Sequence, residues 1–300
     1  MAMYLLLSKI QVHNANAMSS PYTVGFPAMT AWLGAAHALE RNLHEGGFKD
    51  VSFSGVAVVS HTCDVQLYKG PKDYQYSIIG TANPLKKSSK TGAYERPPFI
   101  EEARCHLCVS LLIKLQGVDG INKEQVKKEV ENNIWRMKLA GGDIEKIGKL
   151  EFIPVNEESD DEERRLLRRL MPGYAIIERR DLILTEKNDK RDALTRLIDV
   201  LAVEFEAEKN GDNLSWQGKR RNDGWIVPVA VGFKSISGAV KAKHQRSEEY
   251  EHRFAEPVVT LGEFRMPYHF RSINEILWEY HTDLEHGLYL CRNQNNSQNA

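Results

Sequence analysis

Cysteines, histidines and paired acids are the side chains on which this chain could build covalent or metal chemistry. Cys105-His106-Leu107-Cys108 is a C-x-x-C, the spacing of a redox pair or of half a zinc site. The surrounding RCHLCVSLLIKL, residues 104–115, alternates apolar and polar and reads as a strand. Residues three apart on a strand point to opposite faces, and no second C-x-x-C or H-x-x-x-H completes a tetrahedral set. Neither metal nor cofactor is expected. His37 and His44, or His281 and His286, miss the i, i+4 spacing of a helical metal pair. Glu101 and Glu102 are adjacent, and neighbours in extended chain do not converge on one substrate atom. The fingerprints G-x-x-x-x-G-K-[ST], G-x-G-x-x-G and G-x-S-x-G do not occur.

Basic residues interleaved with aromatics give a stronger signal. Lys86, Lys87, Lys90 and Arg96 surround Tyr94. From Trp216 onward come Lys219, Arg220, Arg221, Lys234, Lys241, Lys243, His244 and Arg246 against Asp223 as the one acid, with Trp225 and Phe233 among them. Phosphate pairing plus base stacking needs that mixture. The same residues also fit an ordinary soluble surface over core aromatics. The whole chain carries a formal charge of −1, so any nucleic-acid role rests on local charge. Glu157–Glu163 (EESDDEE) is followed at once by Arg164 and Arg165, the pattern of a solvated loop or helix start.

The elements that must position these residues follow from periodicity. YLLLSKIQVH (4–13) reads as a half-exposed strand, with Ile10 and Val12 on one face and Lys9, Gln11 and His13 on the other. A loop rich in Asn, Ser, Gly and Pro follows. Met29, Trp32, Leu33, Ala36, Leu39 and Leu43 then recur at helical spacing, with Pro27 suited to the first turn and Gly46-Gly47 as the stop. VSFSGVAVVS (51–60) is β-branched and of strand length, and 104–115 is a further half-exposed strand. Val126, Val130, Ile134 and Met137 predict a helix over 123–139 ended by Gly141-Gly142, before a strand at 147–155. The order βαββαβ is that of ferredoxin-like and RRM sheets, whose helices cover one face and leave the other free. Lys9, Gln11, His13, Arg104 and His106 would line that free face. Residues 64–104 hold no long periodic segment and read as an insertion.

The expected fold class is α+β. It has an RRM-like core over 1–156, a charged linker over 157–170, a C-terminal α+β region over 171–290 and a polar, disordered tail over 291–300. In the C-terminal region Tyr174–Glu178 and Trp225–Phe233 read as strands. Leu194, Leu197, Ile198, Leu201 and Phe205 read as a helix closed by Asn210-Gly211, and Ile273, Ile276, Leu277 and Tyr280 as a short helix. With 300 residues, 42% of them hydrophobic, the chain can bury a sizeable core. No run of 18 apolar residues and no leader pattern is seen, and four irregular cysteines fit a reducing compartment, so a cytoplasmic protein is expected.

The segment LLLSKIQVHNANAMSSPYTVGFPAMTAWLGAAHALER closely resembles the N-terminus of the Cas-five-type (Csy two) subunits of type I-F CRISPR surveillance complexes. FIEEARCHLCVSLLI, LMPGYAIIERRDLI and TLGEFRMPYHFRSINEILWEYH extend the likeness over most of the chain. The resemblance implies an RRM-like fold with a thumb and a non-catalytic subunit that binds the 5′ handle of the CRISPR RNA. It further implies pairing with the large subunit at the foot of the complex, contact with the backbone subunits, and a meeting with target double-stranded DNA through the assembly. Asn14, Asn16, Ser19, Ser20, Gly25 and Phe26 sit at the family motif, as handle contacts or as residues that shape the loop. The 64–104 insertion resembles the thumb, with Lys86, Lys87, Lys90 and Arg96 facing phosphates. Val24 stands where the family pattern carries an aromatic. The rival is a metal-independent repeat ribonuclease on the same fold, with His106, His13 or His244 as general base.

Overall fold

The computed structural model describes residues 1–78, 86–95, 102–184, 191–210, 213–245, 247 and 249–293. The first strand organises it. β1 (Ala2–Asn16) runs antiparallel to β3 (Arg104–Gln116), which in turn pairs with β2 (Ser52–Val65). On its other side β1 pairs with β5 (Lys149–Val155) through its first half and with β4 (Gly142–Lys146) through its second.

Bulges in β1 set which side chains face the core. Against β3 one extra residue is inserted between Leu7 and Ile10 and another between Val12 and Ala15, with Lys9 and Asn14 at φ of 48° and 58°. Each insertion shifts the alternation by one residue. Leu5, Leu7, Ile10, Val12, Ala15 and Ala17 therefore all enter the same core. At Gly142 a Cβ would lie 2.6 Å from the carbonyl oxygen of His13, so only glycine lets β4 approach the second bulge.

The helix α1 (Met29–Glu45) buries the six apolar positions read from its spacing, and Gly46 caps its end. Pro27 lies before the N-cap residue Ala28, outside the first turn, and its carbonyl accepts the indole N–H of Trp32 at 3.3 Å. α2 (Lys123–Ile134) is shorter than expected. Leu139 belongs instead to a two-residue strand that turns through Ala140 and Gly141, both at positive φ, into β4. Both helices pack on the same face of β1, β2 and β3.

The opposite face is only half free, which corrects the expectation of an open sheet. Residues 157–170, expected as a charged linker, contain α3 (Asp160–Arg169), with its acids in the first turn and arginines in the last, complementary to the helix dipole. Leu166, Leu167 and Leu170 cover Tyr4, Leu6, Ala57 and Leu112 in a second core. Glu163, 4% exposed, accepts the Ser272 hydroxyl at 2.9 Å and the Ile273 N–H at 3.1 Å, tying α3 to a 3₁₀ turn at Ile273–Ile276. Burial and the Glu157 carboxylate push the Tyr4 phenol far above its ordinary value.

Beyond β2 the sheet continues. It runs through β6 (Tyr174–Glu178), β10 (Ala255–Arg265), β9 (Trp225–Ser235), β12 (Leu288–Asn293) and β11 (Trp278–Asp283). Trp278, fully buried, stands opposite Val56 and donates its indole N–H to Ile176 O at 2.8 Å, bringing the last strands back onto β2. The expected helix at 273–280 is thus a single 3₁₀ turn followed by a strand. Residues 291–293, assigned to the tail, belong to β12, and 294–300 lie outside the described residues.

The helix read over 194–205 also stops early. α4 (Ala193–Leu201) ends where Ala202 turns extended, and β7 (Val203–Asn210) pairs with β8 (Asn213–Arg220) as a separate ribbon. Phe205 lies four residues after Leu201 and imitates the helical period, but Val203, Phe205 and Ala207 alternate with Glu204, Glu206 and Glu208 at the period of a strand.

Candidate nucleic-acid interface

The uncovered half of the sheet lies where β1, β2 and β3 pass the second bulge. Gln11 and His13 are exposed there, Asn14 and His106 are half-buried, and Lys9 is exposed at the first bulge. The bulge holds Asn14 in a left-handed conformation that asparagine tolerates better than most residues. Its backbone N–H donates to His106 Nδ1 at 3.3 Å. The side-chain amide of Gln66, just past β2, lies 3.3 Å from Asn14 Oδ1 and 3.2 Å from His106 Nε2. His13 stacks on His106 with ring centroids 4.6 Å apart. Two imidazole faces, two amides and the Gln11 side chain thus share one patch able to stack on a base and bond its edges. Arg104 is already engaged, donating to Glu102 and to Asn14 O.

The loop after β1 is built on its own polar side chains. Asn16 Nδ2 donates to Met18 O at 3.1 Å and its Oδ1 accepts the Met18 N–H at 3.0 Å. Ser19 and Ser20 both reach the Thr23 hydroxyl at 2.7 Å, and Ser20 also accepts the Tyr22 N–H. Phe26 is 9% exposed, stacked on Trp32 at 5.3 Å and edge-on to Phe264 at 5.2 Å. These contacts of Asn16, Ser19, Ser20 and Phe26 shape the loop. Asn14 is the motif member that faces the open patch.

The basic residues occupy separate elements. Lys87 and Lys90 are exposed on or beside a small ribbon in which Lys87 pairs with Tyr94, itself 70% exposed. The backbone of Lys86 is in the same ribbon. Arg96 and Arg246 lie outside the described residues. Trp216, Lys219 and Arg220 are on β8, with Arg221 just beyond. Lys234 is the last residue but one of β9, and Lys241, Lys243 and His244 are exposed in the connection to β10.

Cysteine chemistry separates as strand alternation requires. Cys105 is buried among core residues and donates to Ala15 O at 3.8 Å, whereas Cys108 is half-buried opposite Thr62. The contact between the two sulfurs of Cys63 and Cys105 lowers the Cys63 pKa and raises that of Cys105, and burial raises Cys105 further. Among the described residues no cluster of three or more His, Cys, Asp or Glu side chains could hold a metal ion. His61 bridges the Pro172 carbonyl and the buried Ser110 hydroxyl, and burial holds its pKa below the usual histidine value.

The model of the CRISPR-associated protein (Cas_Csy2) family matches residues 5–291 of this chain. The chain belongs to the Csy2 family of CRISPR-associated proteins. It is 32% identical to the CRISPR-associated protein Csy2 of Pseudomonas aeruginosa (strain UCBPP-PA14) over 316 residues, an alignment covering 95% of this chain and 93% of that relative.

Within this Csy2 family chain the patch contains a residue that sequence reasoning missed. Gln66 lies in what reads as insertion, yet its N–H bonds to Arg104 O at 2.8 Å and holds its amide beside Asn14 and His106. No periodic signal marks it, because it sits one residue beyond β2. Among the described residues no helix is long and apolar enough to cross a membrane.

Proposed function

We propose that the protein is a non-catalytic subunit of a type I-F CRISPR RNA-guided surveillance complex. In this role it binds the 5′ handle of the guide RNA, pairs with the large subunit and adjoins the backbone subunits. It thereby helps to cap the foot of the complex for recognition of target DNA in the cytoplasm. The carrying observation is the family match over residues 5–291, together with 32% identity to a curated Csy2. The antiparallel order β5-β1-β3-β2, with α1 and α2 on one face, supports a ferredoxin-like, RRM-like core.

On this reading the open half-face supplies stacking and base-edge contacts through His13, Asn14, Gln66 and His106. The exposed lysines of the 64–104 insertion, read as the thumb, and those of the β9–β10 connection supply phosphate contacts. Guide pairing then reads the target sequence, and this chain contributes placement of the guide. One observation favours the ribonuclease reading as well: His13 and His106 stand side by side, as a general acid and base would.

A single experiment separates the two. The purified chain, alone and with its large-subunit partner, is incubated with precursor repeat RNA and with a matured guide bearing the 5′ handle, and binding and cleavage are scored together. Binding that depends on the handle and leaves the RNA intact is the expected result. Metal-independent cutting abolished by His106→Ala would replace the subunit reading with the ribonuclease.

A further inference from the structure

The β7–β8 ribbon has two unlike faces. Because directly paired residues of an antiparallel ribbon share a face, the register puts Val203, Phe205, Ala207 and Lys209 together with Trp216, Gly218 and Arg220. The opposite face carries Glu204, Glu206, Glu208, Ser215, Gln217 and Lys219. The first face is an apolar strip with Arg220 at one end and Lys209 at the other, about 20 Å apart at roughly 3.4 Å per residue. It is open to solvent: Phe205 is 67% exposed, Trp216 64% and Val203 40%. α4, immediately before it in the chain, exposes Leu194 and Ile198 as well.

Charge decides what such a strip receives. The two strands carry Glu204, Glu206 and Glu208 against Lys209, Lys219 and Arg220, so the ribbon offers no net field to a polyanion. Arg221, just beyond it, is occupied by Glu204 at 2.5 Å and lies 3.8 Å from Asp199. Lys219 stands opposite Glu204 in register. Val203, Leu194 and Ile198 are aliphatic and offer a nucleobase no ring to stack on. A two-stranded ribbon is marginally stable in water by itself, and this one gains most from a covering surface.

We propose that the strip of Val203, Phe205, Ala207 and Trp216 docks another protein subunit of the complex. The matching surface is apolar at its centre and carries a carboxylate toward each end, to meet Lys209 and Arg220. The inference rests on the subunit reading above and assigns Trp216 and Arg220 to protein instead of RNA. An apolar centre that excludes water between charged ends is the layout of an interface hot spot.

The test compares wild-type chain with Phe205→Ser/Trp216→Ser and with Lys209→Glu/Arg220→Glu, each co-expressed with the other subunits and a guide RNA. The solvent-exposed positions leave both cores untouched, and circular dichroism and urea midpoints verify the fold. Wild-type assembly on size exclusion tests the subunit reading by itself. If it succeeds, the aromatic variant is expected to lose at least tenfold in retention of one protein subunit. The charge variant should lose retention in a salt-dependent way, and guide-RNA affinity of the isolated chain should stay within twofold of wild type. Amides 203–210 and 213–220 should gain protection from hydrogen exchange in the complex and keep it after nuclease treatment. Weakened RNA binding with normal assembly would make the strip an RNA reader and overturn the proposal. Self-association of wild type that the variants abolish would make the occupant a second copy, and unchanged assembly, RNA binding and exchange would leave the strip without an occupant.

Discussion

The open patch and the exposed lysines make different contributions to RNA binding, and salt can tell them apart. His106→Ala removes the ring that stacks on His13, takes up the Asn14 N–H and lies beside the Gln66 amide. If the patch reads a base, one stacked or edge-bonded base is lost, about 1–3 kcal/mol and hence roughly 5- to 150-fold in Kd. The imidazole replaces no phosphate counterion, so the slope of log K against log salt stays as it is. Lys87→Ala and Lys90→Ala remove exposed charges. Each should cost less affinity at moderate salt but make the slope shallower by about 0.7 for single-stranded RNA. Filter binding of a guide bearing the 5′ handle, between 50 and 300 mM salt, measures both quantities. The stability control is built in, since His106 is half-buried and its bonds are worth about 1 kcal/mol each. A shallower slope for His106→Ala, or an unchanged Kd in a folded variant, would refute the base-reading patch.

Thiol labelling of the native chain should begin at Cys63, which is exposed and whose pKa the neighbouring Cys105 sulfur lowers, while buried Cys291, pushed up to about 12, reacts only on unfolding. Mass spectrometry of quenched samples reads the order, and early modification of Cys291 would contradict the packing of β12. Burial depresses the folded pKa of His61, so its contribution to stability is complete above about pH 6.5 and is lost as pH falls through the folded value. Urea midpoints between pH 7.5 and 5 should fall, and His61→Gln should flatten the trend. Glu163→Ala leaves the Ser272 hydroxyl and Ile273 N–H without their carboxylate and should destabilise by about 2–4 kcal/mol in the same assay. A loss below ~0.5 kcal/mol would show that α3 is not anchored to the 273–276 turn through this group.

What the sequence made legible is what a single period controls. The face of α1 from Met29 to Leu43 is a run with one uninterrupted period and lies where that period puts it, and the short apolar run at Tyr174–Glu178 forms the strand read there. β1 was legible as a strand with Ile10 and Val12 inward, but not in its full core register, because its period breaks: with bulges at Lys9 and Asn14 the core positions 5, 7, 10, 12, 15 and 17 fit neither a helix nor a plain strand. The same bulges make the candidate site, for without the second one the Asn14 N–H would continue the β3 ladder instead of meeting His106. β7 was hidden by the opposite effect, Phe205 falling by chance on the helical register of α4. The half-covered sheet needed a tertiary fact, that the leucines behind an acidic run fold back onto Tyr4 and Leu6. Acids at the start and arginines at the end of 160–169 are helix chemistry in retrospect, but charge pattern alone does not say which face three leucines will cover. The patch that stays open is therefore bounded by two features of different range, a local bulge and a distant helix. A substitution that straightens β1 should erase it as effectively as one that alters His106 itself.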